Sequence, residues 1–200
     1  MNKRECIKNQ CRLLFNEQGI RNITLRDVAK SLQISYGNVT YHYPTKLHVL
    51  KELYHDMVVE LTARQRPSDD KELLEYILSL PSISYLIELK YLFFSIDYTE
   101  IKRNYTALYE EIANATEVRK TKWLIILKKL NSLGVFKREL NDKELYYIMF
   151  LSGSIRTAYF QAFPFEAYDE KQYCEMVNML LKPYLSKSSL TIYHKIMNSN

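Results

Sequence analysis

The chain has 200 residues, a formal net charge of +5, and a hydrophobic content of 47%. This much apolar material can bury a core, which excludes an intrinsically disordered protein. Because only 4 Gly and 5 Pro are present, the composition favours long helices over a turn-rich sheet protein, and we predict an all-α fold.

The excess positive charge is confined to the N-terminal third. Residues 1–66 contain 11 Lys and Arg against 6 Asp and Glu, whereas residues 67–200 are neutral overall. A basic N-terminal surface suits the phosphate backbone of a nucleic acid, although a chance imbalance of surface lysines would give the same count.

The cysteine content and the apolar runs indicate a cytoplasmic protein. Cys6, Cys11 and Cys174 form no CxxC pair, which fits buried or inert thiols in a reducing compartment. The longest apolar runs, at 123–127 and 148–151, are far shorter than the ~20 residues of a membrane span, so we expect no membrane partner.

The first 66 residues are predicted to form four helices. Apolar residues at helical spacing indicate a helix over 3–18, and Gly19 has the position of its C-terminal cap. Thr24 with Asp27 resembles a capping box that starts a second helix. Ser35 is expected to cap a short third helix that ends before Pro44, and Thr45 to cap a fourth.

Five more helices are predicted after a break at residues 67–70, near 70–80, 82–96, 98–131, 141–162 and 168–184. Pro81, Gly134, Pro164 and Pro183 separate them. The segment 98–131 could be one helix or two, and residues 186–200 could add a short helix or fray. We therefore expect a DNA-binding domain over 1–46, a connecting helix over 47–66 and a larger helical domain over 67–200.

Residues 24–42 have the pattern of a helix-turn-helix that reads DNA. Ala29 is small where two helices must cross closely, and apolar Ile34 can fill the space at the turn. The following helix carries hydrogen-bonding side chains able to touch bases or phosphates. Gly37 removes a side chain near its start, which would let the backbone approach DNA closely.

The run Gly37-Asn38-Val39-Thr40-Tyr41-His42-Tyr43-Pro44-Thr45-Lys46 resembles the third helix of the TetR family of transcriptional repressors and its junction with the fourth. Residues 1–50 are similar to the DNA-binding domain of that family. The resemblance implies an N-terminal three-helix DNA-binding domain plus a larger C-terminal helical domain that binds ligand and dimerises. It further implies that ligand binding moves the fourth helix.

Carried over position by position, the resemblance implies a set of DNA contacts. Base contacts are implied for Arg26, Tyr36, Gly37 and Thr40, and phosphate contacts for Thr24, Ser35, Asn38, Tyr41, His42 and Lys46. Tyr43 matches an aromatic position that packs at the helix junction and reaches phosphate. Three residues depart from the family: Gln33 replaces a turn glycine, Thr40 replaces a frequent Tyr, and Pro44 stands at a usually non-proline position. If Gln33 has a positive φ, it costs roughly 1 kcal/mol.

The C-terminal domain is rich in aromatic residues that suit a small-molecule pocket, because Tyr offers both apolar surface and a polar group. The residues expected to line it are Tyr85, Glu88, Leu89, Leu92, Tyr105, Tyr109 and Trp123. The alternative is that these aromatic side chains simply form the core.

The last two long helices are where the resemblance implies dimerisation, as a four-helix bundle. Residues at helical spacing on them are the expected interface: Ile148, Ser152, Ile155, Tyr159, Tyr173, Val177 and Leu180. The alternative is packing of these two helices within one chain.

Catalytic and metal-binding patterns are missing from the sequence. His48 and His55 share a helix face but have no Cys or acidic residue to complete a metal site. There is no phosphate loop, nucleophile elbow or HExxH motif, so we expect neither enzymatic activity nor a cofactor.

The residue patterns, with what the resemblance implies, predict a ligand-responsive repressor that binds a palindromic DNA operator as a homodimer. Its partners would be duplex DNA, a second copy of the chain and a small-molecule effector. Two alternatives remain: a helical adaptor or small-molecule carrier with a non-functional helix-turn-helix, and a regulator without a small-molecule ligand.

Overall fold

The computed structural model describes residues 2–199. Within them are α1 (Lys3–Gln18), α2 (Leu25–Ser31), α3 (Tyr36–His42), α4 (Lys46–Thr62), α5 (Leu73–Lys90), α6 (Phe93–Ile96), α7 (Tyr98–Asn104), α8 (Thr106–Ser132), α9 (Asp142–Ala162), α10 (Glu170–Met179) and α11 (Lys187–Ser199). The described chain contains no strand beyond a single antiparallel bridge between Phe136 and Leu185, so the all-α prediction is confirmed. None of these helices is long and apolar enough to cross a membrane.

The chain packs as two compact units that interleave in sequence. The first comprises the residues up to Ala63 together with Ile87–Ala113, and the second comprises Arg64–Leu86 together with the residues from Asn114 onward. Each of α5 and α8 therefore contributes residues to both units. The division by function into a DNA-binding domain (1–46), a connecting helix (47–66) and a larger helical domain (67–200) stays a prediction.

The first unit is built around the buried face of α1. Ile7, Cys11 and Phe15 lie on this face at helical spacing and are almost fully buried. Phe15 packs edge-on against Phe93 of α6, with ring centroids 5.5 Å apart, and Tyr54 of α4 packs edge-on against Phe94 at 5.7 Å. The short α6 is therefore part of the same core as the first four helices.

Asn16 of α1 joins the two helix ends at the α5–α6 junction. Its Nδ2 donates to the carbonyl oxygens of Leu89 and Lys90, at 3.4 and 3.0 Å, and its Oδ1 accepts the N–H of Phe93 at 3.2 Å. These backbone groups have no partner within their own helices, and one amide side chain supplies both the donor and the acceptor.

The second unit has its own core, formed by apolar side chains of α5, α8, α9 and α11. Beside it lies an aromatic cluster in which Tyr85, Tyr159, Phe160 and Tyr173 are all buried and have ring centroids 5.2–6.5 Å apart. Aromatic pairs at such spacing add stabilisation beyond their buried area.

Two of the predicted helix boundaries are wrong, and the two segments whose form was left open, 98–131 and 186–200, are now defined. Helix α5 runs through Pro81, which is buried inside it, so the break predicted at that residue does not occur. The segment 98–131 is two helices, because Tyr105 takes φ −132° and ψ 54° between α7 and α8. The helix predicted over 168–184 ends at Met179 and is followed by a separate 3₁₀ turn over Lys182–Tyr184. Residues 187–199 form a regular helix rather than a frayed end.

Candidate nucleic-acid interface

Helix α2 begins with the capping box that the sequence indicates. The Thr24 hydroxyl accepts the N–H of Asp27, and the Asp27 carboxylate accepts the backbone N–H of Thr24 at 2.8 Å and its hydroxyl at 2.6 Å. These hydrogen bonds from Thr24 lower the pKa of the Asp27 carboxyl. Both side chains are exposed, and the box fixes where α2 starts.

The turn between α2 and α3 has a backbone conformation that suits glycine, although Gln33 stands there. Gln33 has φ 54°, in the left-handed region that favours glycine, so the strain predicted there is present. The next N–H, of Ile34, donates to the carbonyl of Ala29 at 3.0 Å. The half-buried Ile34 side chain therefore sits where the two helices meet.

Helix α3 presents an exposed aromatic and cationic surface. Tyr41 is 83% exposed, the largest value among the exposed large hydrophobic side chains of the described residues, and Tyr36 is 43% exposed. The guanidinium carbon of Arg26, on α2, lies 4.7 Å from the centroid of the Tyr36 ring. This cation–π contact brings together two of the residues for which base contacts are predicted.

Gly37 has no structural reason to be glycine. A Cβ atom added there would meet nothing within 4 Å, the residue is exposed, and its φ lies outside the positive range. Glycine inside a helix destabilises it relative to alanine by about 0.5–1 kcal/mol. The packing of the protein itself therefore does not account for the missing side chain.

The remaining polar residues of α3 are partly committed to local contacts. Ser35 caps the helix by accepting the N–H of Asn38 at 3.2 Å. The Thr40 hydroxyl donates to the carbonyl oxygens of Tyr36 and Gly37, at 3.2 and 3.3 Å, and the His42 ring packs edge-on against Tyr41. The Thr40 hydroxyl has thus used its single donor, and its oxygen can still accept a hydrogen bond.

Tyr43 is the predicted DNA-contact residue whose position contradicts the prediction. Its side chain is fully buried, beneath the Arg4 guanidinium at 4.8 Å from the ring centroid and next to Glu52. Burial, together with the nearby Glu52 carboxylate, raises the pKa of its hydroxyl. A buried ring cannot reach a phosphate, so only the packing half of its expected role holds.

Lys46 faces inward at the start of α4. Its Nζ donates to the carbonyl oxygen of Ile20 at 2.6 Å, while the N–H of Ile20 donates to Asp97 Oδ2 at 2.7 Å. Burial lowers the pKa of the Lys46 ammonium and raises that of the Asp97 carboxyl. Lys46 keeps two further N–H donors for a phosphate.

An ion cluster between α1 and α4 lies outside the predicted site residues. Lys8 Nζ contacts Asp56 at 2.5 Å, Glu5 at 3.0 Å and Glu52 at 3.3 Å, and Arg4 pairs with the same Glu52 at 2.5 Å. The sequence contains a sign of this cluster. Arg4 and Lys8 are four residues apart on α1, and Glu52 and Asp56 are four apart on α4, so each helix has two like charges on one face, and the charges of the two faces are opposite.

The segment that contains α2 and α3 is similar to a known protein family. Residues 12–53 match the family model for bacterial regulatory proteins of the tetR family. Residues 12–53 are a TetR-type segment. No curated protein has a significant sequence match to the chain.

Solved structures extend the TetR-family likeness to the whole fold. A TetR-family transcriptional regulator from Marinobacter aquaeolei VT8 superposes with a TM-score of 0.80 at 21% identity, over 98% of this chain and 99% of the other. The ketosteroid transcriptional regulator KstR2 of Mycobacterium tuberculosis gives 0.72 at 15% identity, over 93% and 96%. The chain therefore has the TetR-family fold from end to end.

Several residues predicted to line a TetR-type ligand pocket are instead packed in the two units. Tyr85 stacks on Phe160 in the aromatic cluster, Trp123 packs against the core of the second unit, and Leu92 is buried in the first. Tyr85 and Leu92 are thus packed as the alternative of an ordinary core predicts, and their lining of a ligand pocket stays a prediction. Glu88, Leu89, Tyr105 and Tyr109 are half-buried and stay predictions.

The predicted dimer residues need a similar correction. Ile148, Tyr159, Tyr173 and Val177 are at most 5% exposed within a single chain. Ile148 is buried in the core of the second unit, and Tyr159 of α9 packs on Tyr173 of α10. They cannot also contact a second copy. Ser152, Ile155 and Leu180 are half-buried. The exposed apolar side chains of α9 lie on another face and are Tyr146, Tyr147, Phe150 and Leu151.

Proposed function

We propose that the protein is a DNA-binding transcriptional regulator that inserts α3 into the major groove of duplex DNA. The proposal rests on an exposed surface in which Arg26, Tyr36 and Tyr41 offer cationic and aromatic groups. It is supported by the excess of basic residues in the first 66 positions and by the TetR-family domain that contains this surface.

The glycine at position 37 is the most direct support for DNA binding. A residue that weakens its own helix and fills no packing requirement is explained by an external surface that approaches the helix backbone. The backbone N–H groups of Tyr36 and Gly37 precede the first hydrogen bond of α3, and N–H groups at such a helix start favour a phosphate. A methyl group at this position would hold the DNA away from those donors.

Replacing Gly37 by Ala separates folding from binding. We expect the thermal midpoint of Gly37→Ala to equal or exceed that of the wild type, and its Kd for DNA to rise about tenfold. DNA would be selected from a pool of random duplexes and its affinity measured by fluorescence anisotropy at several salt concentrations. Unchanged affinity of the alanine variant would contradict a close approach at this residue.

Tyr41→Ala tests the phosphate contact on the same DNA. We expect weaker binding to selected and unrelated duplexes alike, because a phosphate contact carries no base preference. Tyr98→Ala is the matched control, since this tyrosine is also exposed but lies on α7. Absence of any salt-dependent binding by the wild type would favour an adaptor or carrier instead.

We infer further that the regulator acts as a homodimer through the exposed face of α9. Tyr146, Phe150 and Gly153 follow one another at helical spacing, and a Cβ at Gly153 would meet nothing within 4 Å. Tyr146 stacks on Phe150 at 6.2 Å, which leaves an aromatic ridge beside a depression. Such a surface complements itself across a two-fold axis, where the ridge of one copy fills the depression of the other.

Sedimentation equilibrium tests the dimer, and the selected DNA tests its symmetry. We expect a dimer at micromolar concentration for the wild type, and a monomer for Phe150→Glu with unchanged helix content. Thr157→Glu, one turn beyond Gly153, is expected to be intermediate. A dimer also predicts that the selected DNA contains an inverted repeat, because two copies of α3 then read two half-sites. A monomeric wild type would overturn the dimer proposal.

Repression controlled by a small molecule completes the proposed function. An effector that binds one of two conformations would shift their populations and thereby change operator affinity. A thermal-shift screen of metabolites tests this, since a ligand of the native state raises the unfolding midpoint. A compound that raises the midpoint and weakens operator binding supports a ligand-responsive repressor, whereas a screen without effect favours a regulator that has no ligand.

A further inference from the structure

The first unit contains a half-open groove where α1 ends, distinct from the surface around α3. It has a volume of about 560 Å³ and is formed by the last turn of α1, the following loop, and α6 with Asp97. Volumes of roughly 300–1,000 Å³ are typical of sites for small organic molecules. Nothing described so far gives this groove a role.

The carboxylate of Asp97 is the polar centre of the groove. It accepts the N–H of Ile20 at 2.7 Å, and among the described residues it forms no ion pair. Asp97 stands at the first position before α7 but does not cap that helix with its side chain. Burial raises the pKa of this carboxyl, and the N–H of Ile20 and the charge of Lys46 do not fully offset that effect.

The remaining groove surface adds negative potential and apolar contact. Glu17 contributes a second carboxylate and Arg21 the single cation, so the lining carries a formal charge of −1. The C-terminal end of α1 adds the negative end of a helix dipole. The half-exposed Ile96 offers an apolar edge beside the buried rings of Phe15 and Phe93.

We propose that this groove binds a small organic monocation, with its charged centre at Asp97 and its apolar body against Ile96. A cation supplies a direct ion-pair partner for a partly desolvated carboxylate, and an apolar substituent covers the exposed part of Ile96. An anion is disfavoured by both carboxylates and by the helix dipole. None of the residues predicted to contact DNA lines the groove, so the two proposals can fail separately.

Two ions of the same shape and opposite charge test the proposal. Isothermal titration calorimetry would measure tetraphenylphosphonium and tetraphenylborate binding to the full chain. We expect Asp97→Asn to weaken tetraphenylphosphonium binding about tenfold, because the charge is lost while the amide oxygen still accepts the Ile20 N–H. Tetraphenylborate binding, if any, should be unaffected by this substitution.

Controls separate a local effect from a general loss of charge or fold. Glu166→Gln removes one negative charge in the second unit and should leave tetraphenylphosphonium affinity unchanged. Ile96→Lys places a cation over the groove and should abolish binding even if Asp97→Asn is unstable. The amide NMR signal of Ile20 should shift on addition of tetraphenylphosphonium to the wild type. No binding to the wild type, or equal affinity for Asp97→Asn and the wild type, would overturn the proposal.

Discussion

The ion cluster between α1 and α4 offers the sharpest test of how the first unit is held together. The Lys8 side chain is only 8% exposed and its Nζ lies 2.5–3.3 Å from three carboxylates. Burial by itself would lower the pKa of this ammonium, but hydrogen bonds to Asp56 and Glu5 raise it overall. Lys8→Met keeps the aliphatic stem and removes the charge that the three carboxylates share.

The expected cost follows from the exposure of the groups left behind. Breaking a buried ion pair costs about 3–5 kcal/mol when the remaining charge has no other partner. Here Glu52 keeps Arg4, and the carboxylates of Glu5 and Asp56 are 44% and 32% exposed and can take up water. We therefore expect Lys8→Met to lower the free energy of unfolding by about 2 kcal/mol, or the thermal midpoint by about 4–8 °C.

Urea unfolding, which adds no salt, measures this difference for the wild type and two variants. The control is Lys51→Met, because Lys51 pairs with Glu111 at 3.1 Å but both side chains are more than 40% exposed. That pair should contribute at most about 0.5 kcal/mol. A Lys8→Met protein as stable as the wild type, or a loss equal to that of Lys51→Met, would refute the argument that burial gives this cluster its strength.

Three further predictions concern backbone strain, pH and helix ends. Gln33→Gly should raise the free energy of unfolding by roughly 0.5–1 kcal/mol, because glycine adopts φ 54° without strain. Chemical denaturation measures this difference, and a less stable variant would contradict the prediction. Hydrogen bonds from Arg138 and from the backbone of Asn141 lower the pKa of Glu144 to about 2. The stability that this carboxylate adds is therefore present above its ordinary pKa of 4.5 and lost as pH falls through 2. Glu144→Gln should melt below the wild type at pH 7 but together with it at pH 2, and a constant gap would be inconsistent with the pKa. Asn16→Ala should lower the free energy of unfolding by about 1–2 kcal/mol, because both hydrogen bonds to the helix ends are lost. Asn16→Asp keeps only the acceptor and should be intermediate. Equal stability of the wild type and both variants would exclude the double cap.

Local signals in the sequence were enough to predict the first four helices. The capping box at Thr24 and Asp27, the caps at Gly19 and Ser35, and the strained turn at Gln33 depend on residues close in sequence, and all are present. The match of residues 12–53 to the TetR family falls on the same segment.

The errors arose where packing between distant residues outweighs the local signal. Pro81 is expected to end a helix, yet it is buried in the middle of α5, where the surrounding core compensates for the lost hydrogen bond. The wrong predictions for Tyr43 and for the buried dimer residues of α9 have the same cause. An apolar or aromatic residue at helical spacing predicts that a face is buried, but not whether its own chain or a second molecule covers it. Ile148 is buried in the core of the second unit whereas Phe150 is exposed, and this difference depends on how helices distant in sequence pack.

The double hydrogen bonding of Ile20 affects how mutational scans of this protein should be interpreted. Its peptide groups, rather than its side chain, connect Lys46 at the start of α4 with Asp97 before α7. An alanine scan would remove the buried side chain of Ile20 and leave both bonds in place, so it would report only lost packing at this position. Substitutions at Lys46 and Asp97, and their double mutant, are the way to measure this connection, and position 20 can vary in sequence without losing it.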